Sequence, residues 1–433
     1  MLSSDEVQDN QLLIGGIPAT KLADEFGTPL QVYDVAKIRH QIRAFARVFE
    51  EQHVDYAVSY ASKAFACVAM YQVVNQEHAH IDVVSAGELA TAIKADFPME
   101  KVSFHGNNKS YEELQMAVRH HVGTIMLDNF YEIGLLARVL EEEDAEINVM
   151  LRVSPAVSAH THEFIQTGQQ DSKFGFDLLT GQADQALQLV LDQPRMHLQG
   201  VHSHIGSQIF ATDGFKIETQ KLVKLMKQWR DEFNYTPQVV NVGGGFGIQY
   251  TDDDHPIRPE EFVEQILTTL KEETEANDLP LPAVWIEPGR SIAGPAGVSL
   301  YRVGSQKTIP EIRKYVAVDG GMGDNIRPAL YGAAYEAVAA DNVHPEKTET
   351  VTVAGKYCES GDILVKDAHL PEVKAGDVIA VLATGAYGYS MASNYNRNPR
   401  PAVVFVENGK ARVVVKRETL ADLTHLDVAL DEN

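Results

Sequence analysis

The feature that most constrains this chain is an alternation sustained over its first two-thirds. Short β-rich runs occur at residues 54–60, 80–84, 101–105, 124–128, 147–153, 198–204, 238–242 and 283–287. Between most of them lie amphipathic stretches of helical length, such as 110–120, 130–142 and 259–276. Eight strands alternating with helices over roughly 250 residues match a (β/α)8 barrel. A doubly wound open sheet alternates in the same way, but no Gly-x-Gly-x-x-Gly follows the first run, so the barrel is preferred. From about Val298 the rhythm becomes β-rich with turns, at 314–318, 349–353, 362–365, 378–382 and 402–407. Asn408-Gly409 predicts a tight hairpin, because both central residues of that turn need positive φ. The predicted fold is therefore α/β: a barrel over 36–297, then an antiparallel β-sandwich or barrel domain over 298–433. The N-terminal arm, 1–35, carries Pro29-Leu30-Gln31-Val32-Tyr33 and is expected to add a strand to the β domain.

Charge narrows the partners. With 37 Lys+Arg against 61 Asp+Glu the net charge is −24, which repels nucleic acid and anionic membrane surfaces. No apolar run of about 18 residues is present, and the acidic start is unlike a signal peptide. Cys67 and Cys358 are far apart, with no CxxC or Cys/His cluster, so a cytoplasmic location and no metal site are expected.

In a (β/α)8 barrel, side chains at the C-terminal strand ends converge on one mouth. Strand one leads to Tyr60-Ala61-Ser62-Lys63; strands two and three end near Asp82 and His105. Strand six carries His202-Ser203-His204-Ile205-Gly206-Ser207-Gln208, strand seven runs into Gly243-Gly244-Gly245, and strand eight ends in Glu287-Pro288-Gly289-Arg290. Lys63 has two readings: a lysine snorkelling to solvent, or a desolvated amine able to form a Schiff base with an aldehyde. Three glycines let backbone N–H groups approach an anion closely. With Lys63 and Arg290 on the same rim, they point to a phosphate-bearing aldehyde cofactor. Glu287 is then either a strand-end carboxylate paired with an arginine or the partner of a pyridine nitrogen. His204 is either a core histidine or a ring lying flat on the cofactor; His202 has the same ambiguity, and His105 and Asp82 read first as structural. In the second domain, Cys358-Glu359-Ser360-Gly361-Asp362, Gly385-Ala386-Tyr387 and Arg327-Pro328-Ala329-Leu330-Tyr331 each fit either packing or a site.

Taken in this order and spacing, these segments resemble the pyridoxal-phosphate (PLP) decarboxylases of alanine-racemase-like fold, type III, over nearly the whole chain. The segment His80-Ile81-Asp82-Val83-Val84-Ser85-Ala86-Gly87-Glu88-Leu89 belongs to the same pattern. The resemblance implies that Lys63 carries PLP covalently, Glu287 contacts the pyridine nitrogen and His204 stacks on the ring. It places Asp82, Ser207, Gly244, Gly245, Gly289, Arg290 and Tyr387 around the cofactor. It also implies a homodimer with shared active sites, in which Cys358, the proton donor, and Glu359 come from the partner subunit. Arg327 with Tyr331 follows the pattern of members acting on meso-2,6-diaminopimelate, with Arg290, Glu359 and Tyr387 as further substrate contacts. Which arginine takes phosphate and which takes the distal carboxylate stays open at this level. The implied activity is decarboxylation of meso-diaminopimelate to L-lysine and CO2, the last step of lysine biosynthesis. Relatives acting on ornithine, arginine or carboxynorspermidine, a racemase and a non-catalytic PLP carrier are the competing readings.

Overall fold

The computed structural model describes residues 2–157 and 172–430. Two compact units result: Arg39–Ile248 with His255–Ile292, and Met1–Ile38 with Gln249–Asp254 and Ala293–Asn433.

The first unit contains eight parallel strands: Tyr56–Ala61, His80–Val83, Val102–Phe104, Thr124–Leu127, Ile147–Ser154, Met196–His202, Val239–Asn241 and Ala283–Ile286. Each pairs with the next, and the eighth returns to the first through Val284 opposite Tyr56, which closes the barrel. Most strand residues are buried on both faces, the pattern of a sheet filled inside and covered outside. Helix starts are encoded locally. Ser85 and Asn129 each accept an N–H from the third residue beyond, and Ser110 forms a reciprocal capping box with Glu113. A two-residue strand, Phe176–Asp177, extends the Ile147–Ser154 edge; it is too short to leave a pattern in sequence. Among the described residues no helix is long and apolar enough to cross a membrane.

In the second unit the arm strand Leu30–Asp34 lies between Gly297–Ile309 and Ala402–Glu407. The hairpin forms as expected: Glu407 pairs with Lys410 across Asn408 (φ 51°) and Gly409 (φ 70°). The sheet corrects one expectation, because it is mixed rather than antiparallel. Leu30–Asp34 runs parallel to Ala402–Glu407, and Arg313–Val318 runs parallel to Glu349–Ala354. Both are pairings between strands distant in sequence, where no turn dictates direction. Leu30, Val32, Leu300, Ala380, Val404 and Val406 form part of the core beneath it.

Candidate active site

Lys63 sits in a short 3-10 turn, Ser62–Ala64, directly after the first barrel strand, and is solvent-exposed. Asp82, at the second strand, accepts the Ser62 N–H at 3.1 Å and so ties this turn to the neighbouring strand. A second lysine of the barrel, Lys109, is buried, and its ammonium is held by Glu132 Oε1 (2.6 Å), Met126 O (2.7 Å) and Gly106 O (2.9 Å). Those three acceptors match the three donors of an ammonium, so Lys109 is a structural cation. Lys63, by contrast, is presented outward.

Glu287 is buried at the eighth strand end and closely supported. Asn241 Nδ2 donates to its Oε1 at 2.7 Å, and His202 Nε2 stands 3.2 Å from Oε2. His105 Nε2 is 3.1 Å from Oε1 but off the hydrogen-bond direction. The two imidazoles meet edge to face, 5.0 Å apart. Burial alone would raise the Glu287 pKa; the two histidines outweigh it and hold this carboxyl well below the usual carboxylate range. Burial lowers both histidines, His202 to about 4, so they are neutral N–H groups facing a carboxylate. Asp82 goes the other way. Burial and the Glu287 charge raise it well above the ordinary range despite Lys63. The two carboxyls are thus driven apart, Glu287 downward and Asp82 upward.

The sixth-strand segment continues past His202 into a loop. His204 Nδ1 accepts the Gly244 N–H at 3.2 Å, which fixes its tautomer and orientation. Burial, with the Lys63 and Arg152 charges, drives its pKa well below the normal value, so the ring is neutral. The glycine run is required by close approach. A Cβ on Gly244 would lie 2.1 Å from Glu287 O, and one on Gly245 (φ 99°) would lie 2.2 Å from Gly206 O. Beside it, Arg290 reaches Ser207 Oγ with Nε (3.2 Å) and Nη2 (2.9 Å), and Gly289 packs on Ala61 at the foot of the lysine turn. The barrel therefore gathers Lys63, Asp82, His204, Ser207, Gly244, Gly245, Glu287, Gly289 and Arg290 at strand ends or in the turns that follow them.

Behind the histidine segment, the Ser203 hydroxyl bonds to Glu218, which is fully buried on the helix Asp213–Phe233. Burial raises the Glu218 carboxyl from 4.5 to about 8. Between those two values the folded chain keeps a proton that the unfolded chain releases. Stability is therefore expected to fall as pH rises through this window, by at most about 1.4 kcal/mol per pH unit. Glu218→Gln should flatten that slope, and guanidinium melts from pH 5 to 8 on both proteins measure it; equal slopes would refute the assignment.

In the other unit Cys358 is an exposed free thiol whose N–H donates to Asn396 Oδ1 at 2.8 Å. Glu359 is exposed next to it and accepts the Tyr395 hydroxyl at 3.5 Å. Asp362 accepts the N–H groups of Tyr357 (2.8 Å) and Met322 (2.6 Å), joining this loop to the segment that leads into Arg327. Arg327 is buried at the start of the short helix Arg327–Tyr331, and Tyr331 is half-buried at its end. Tyr387 holds φ 60°, a left-handed conformation that is uncommon for a bulky residue and marks a constrained position.

Sequence reasoning missed four residues. Asn241 and Arg152 line the barrel interior, the latter 3.8 Å from Asp128. Tyr335 and Tyr250 surround Arg327. Asn241 was discoverable, since it ends the seventh strand just ahead of the glycine run. The tyrosines left no comparable signal.

Comparison with known proteins identifies the family. Residues 35–294 match the pyridoxal-binding domain of the pyridoxal-dependent decarboxylases. The chain is 55% identical to the diaminopimelate decarboxylase of Bacillus subtilis, over 98% of this chain and 97% of that one. It is 53% identical to the diaminopimelate decarboxylase of Bacillus methanolicus, over 95% of each. The structure matches a diaminopimelate decarboxylase from M. jannaschii solved with L-lysine, with TM-score 0.93 and 33% identity over 99% of both chains. The fold is that of a pyridoxal-dependent decarboxylase, a class of carboxy-lyases whose cofactor is pyridoxal phosphate. Within that class, the chain belongs to the diaminopimelate decarboxylase family.

Proposed function

We propose that this protein decarboxylates meso-2,6-diaminopimelate at its D-configured carbon, releasing CO2 and L-lysine, as a cytoplasmic homodimer. The observation that carries the reading is the buried, ionised Glu287 below a mouth that presents Lys63. The residues fit PLP. Glycine backbone, Ser207 and the Gly289–Arg290 turn suit its phosphate, the Lys63 amine suits its aldehyde, and the Glu287 carboxylate suits its ring nitrogen. When bound, PLP supplies an electron-withdrawing ring that stabilises the charge left on the reacting carbon as CO2 departs. A racemase of this fold favours a cation at that nitrogen; an anion favours decarboxylation.

The protein groups divide the remaining work. Lys63 would hold the cofactor through its side-chain amine, which would also serve to release the product. Glu287 keeps a proton on the ring nitrogen, an assignment supported by the two neutral histidines and Asn241 that hold its charge. His204 covers one ring face, with Asp82 and Tyr387 as further contacts. Cys358 delivers a proton to the reacting carbon; together with Glu359 it serves the active site of the other subunit. Arg290, whose donors already engage Ser207, takes the phosphate. Arg327 and Tyr331 take the distal carboxylate, and Glu359 the distal ammonium.

Substrate profiling tests the reading. A substrate without the distal carboxylate leaves the buried Arg327 unpaired, and a site built for a polar group rejects analogues lacking it by large factors. The enzyme should form L-lysine from meso-diaminopimelate with kcat/KM at least about 100-fold above that for ornithine. Comparable turnover of ornithine would overturn the substrate assignment.

A further inference from the structure

Arg327 is only 8% exposed, and among the described residues no carboxylate lies within ion-pair reach of it. A buried cation without a carboxylate needs other compensation. Two tyrosines provide it. The guanidinium carbon stands 4.9 Å from the centre of the Tyr250 ring and 5.7 Å from that of Tyr335, and Nη1 donates to the Tyr335 hydroxyl. The two rings meet edge to face at 5.2 Å and 81°, and both are buried. Aromatic faces stabilise a guanidinium without neutralising it, and the Tyr335 oxygen accepts from one of its two terminal nitrogens. The remaining fork keeps its charge and is held in one plane, ready for a bidentate carboxylate.

We infer that Tyr335 and Tyr250 are positioning residues that set specificity, holding the Arg327 fork rigid for the carboxylate at the substrate's non-reacting L-centre. This rests on the reading that Arg327 takes that carboxylate. Decarboxylation at the D-carbon leaves the L-centre intact, so L-lysine keeps the recognised carboxylate and cadaverine, the corresponding diamine, lacks it. Ligands that carry the group therefore feel the tyrosines, and ligands without it do not.

The experiment is steady-state kinetics on the PLP-loaded enzyme, with L-lysine and cadaverine as inhibitors, for Tyr335→Phe, Arg327→Met and the double variant. Losing one charge-assisted hydrogen bond behind the fork should raise KM for meso-diaminopimelate and Ki for L-lysine together, by roughly tenfold. The Ki for cadaverine should stay unchanged, and kcat should remain within about twofold. In the Arg327→Met background, Tyr335→Phe should have no further effect. Tyr250→Leu, which removes the aromatic face by a separate change, should give the same selective weakening and serves if Tyr335→Phe does not fold. Equal weakening of cadaverine, or no effect of either tyrosine variant while Arg327→Met weakens L-lysine, would overturn the inference and leave the reading of Arg327 standing. An Arg327→Met enzyme with unaltered KM and Ki would overturn the reading itself.

Discussion

Lys63→Ala should lower turnover of meso-diaminopimelate by at least about 10³-fold, equivalent to roughly 4 kcal/mol of barrier, while leaving the fold intact. The fold should survive because Lys63 is exposed on a turn after the first barrel strand, and surface substitutions of this kind cost at most about 0.5 kcal/mol. The loss should be chemical, since the variant has no amine at this position to hold the cofactor or to expel the product. Lys109 cannot substitute, being buried and bonded to Glu132 and two carbonyls. Turnover assays alongside thermal melts separate the two effects. A variant that keeps wild-type rates would remove Lys63 from the mechanism.

Glu287→Gln should reduce kcat by about 10²- to 10³-fold, the scale on which single electrostatic supports at a reacting centre act. The substitution keeps the size of the side chain and removes its charge. In the native site that charge is held by Asn241 and by two histidines that burial keeps neutral, an arrangement that stabilises a carboxylate. If Glu287 serves the ring nitrogen as proposed, a glutamine there would not stabilise a proton on it in the same way. Cofactor attachment should survive, because Lys63 and the Ser207–Arg290 cradle are untouched, so the absorbance of the bound cofactor should persist while kcat falls. A kcat within a few-fold of wild type would refute the role of this charge.

The barrel was legible because its signals are local. Each strand is a short apolar run, several helices carry their own caps, as those starting after Ser85, Ser110 and Asn129 do, and the Asn408-Gly409 turn fixes its hairpin by itself. The glycine run was legible for a similar reason, since three residues without a side chain announce a close approach before its partner is known. Partnerships that exist only after closure were not legible. Glu287 meets Asn241, His202 and His105 because four strands bring them to one level, and none of those separations is coded in spacing. Parallel pairing of Leu30–Asp34 with Ala402–Glu407 joins the two ends of the chain, where no turn chemistry exists to read. Tyr250 follows the seventh barrel strand in sequence yet packs on Arg327 in the β-rich unit. The polar or aromatic character of each such residue was visible; its partner was not.

The most direct measurement is borohydride reduction of the PLP-loaded protein, followed by peptide mass mapping. A single pyridoxyl group on the peptide containing Lys63 is the predicted result. A pyridoxyl group on another lysine, or none at all in protein that forms L-lysine from meso-diaminopimelate, would contradict it.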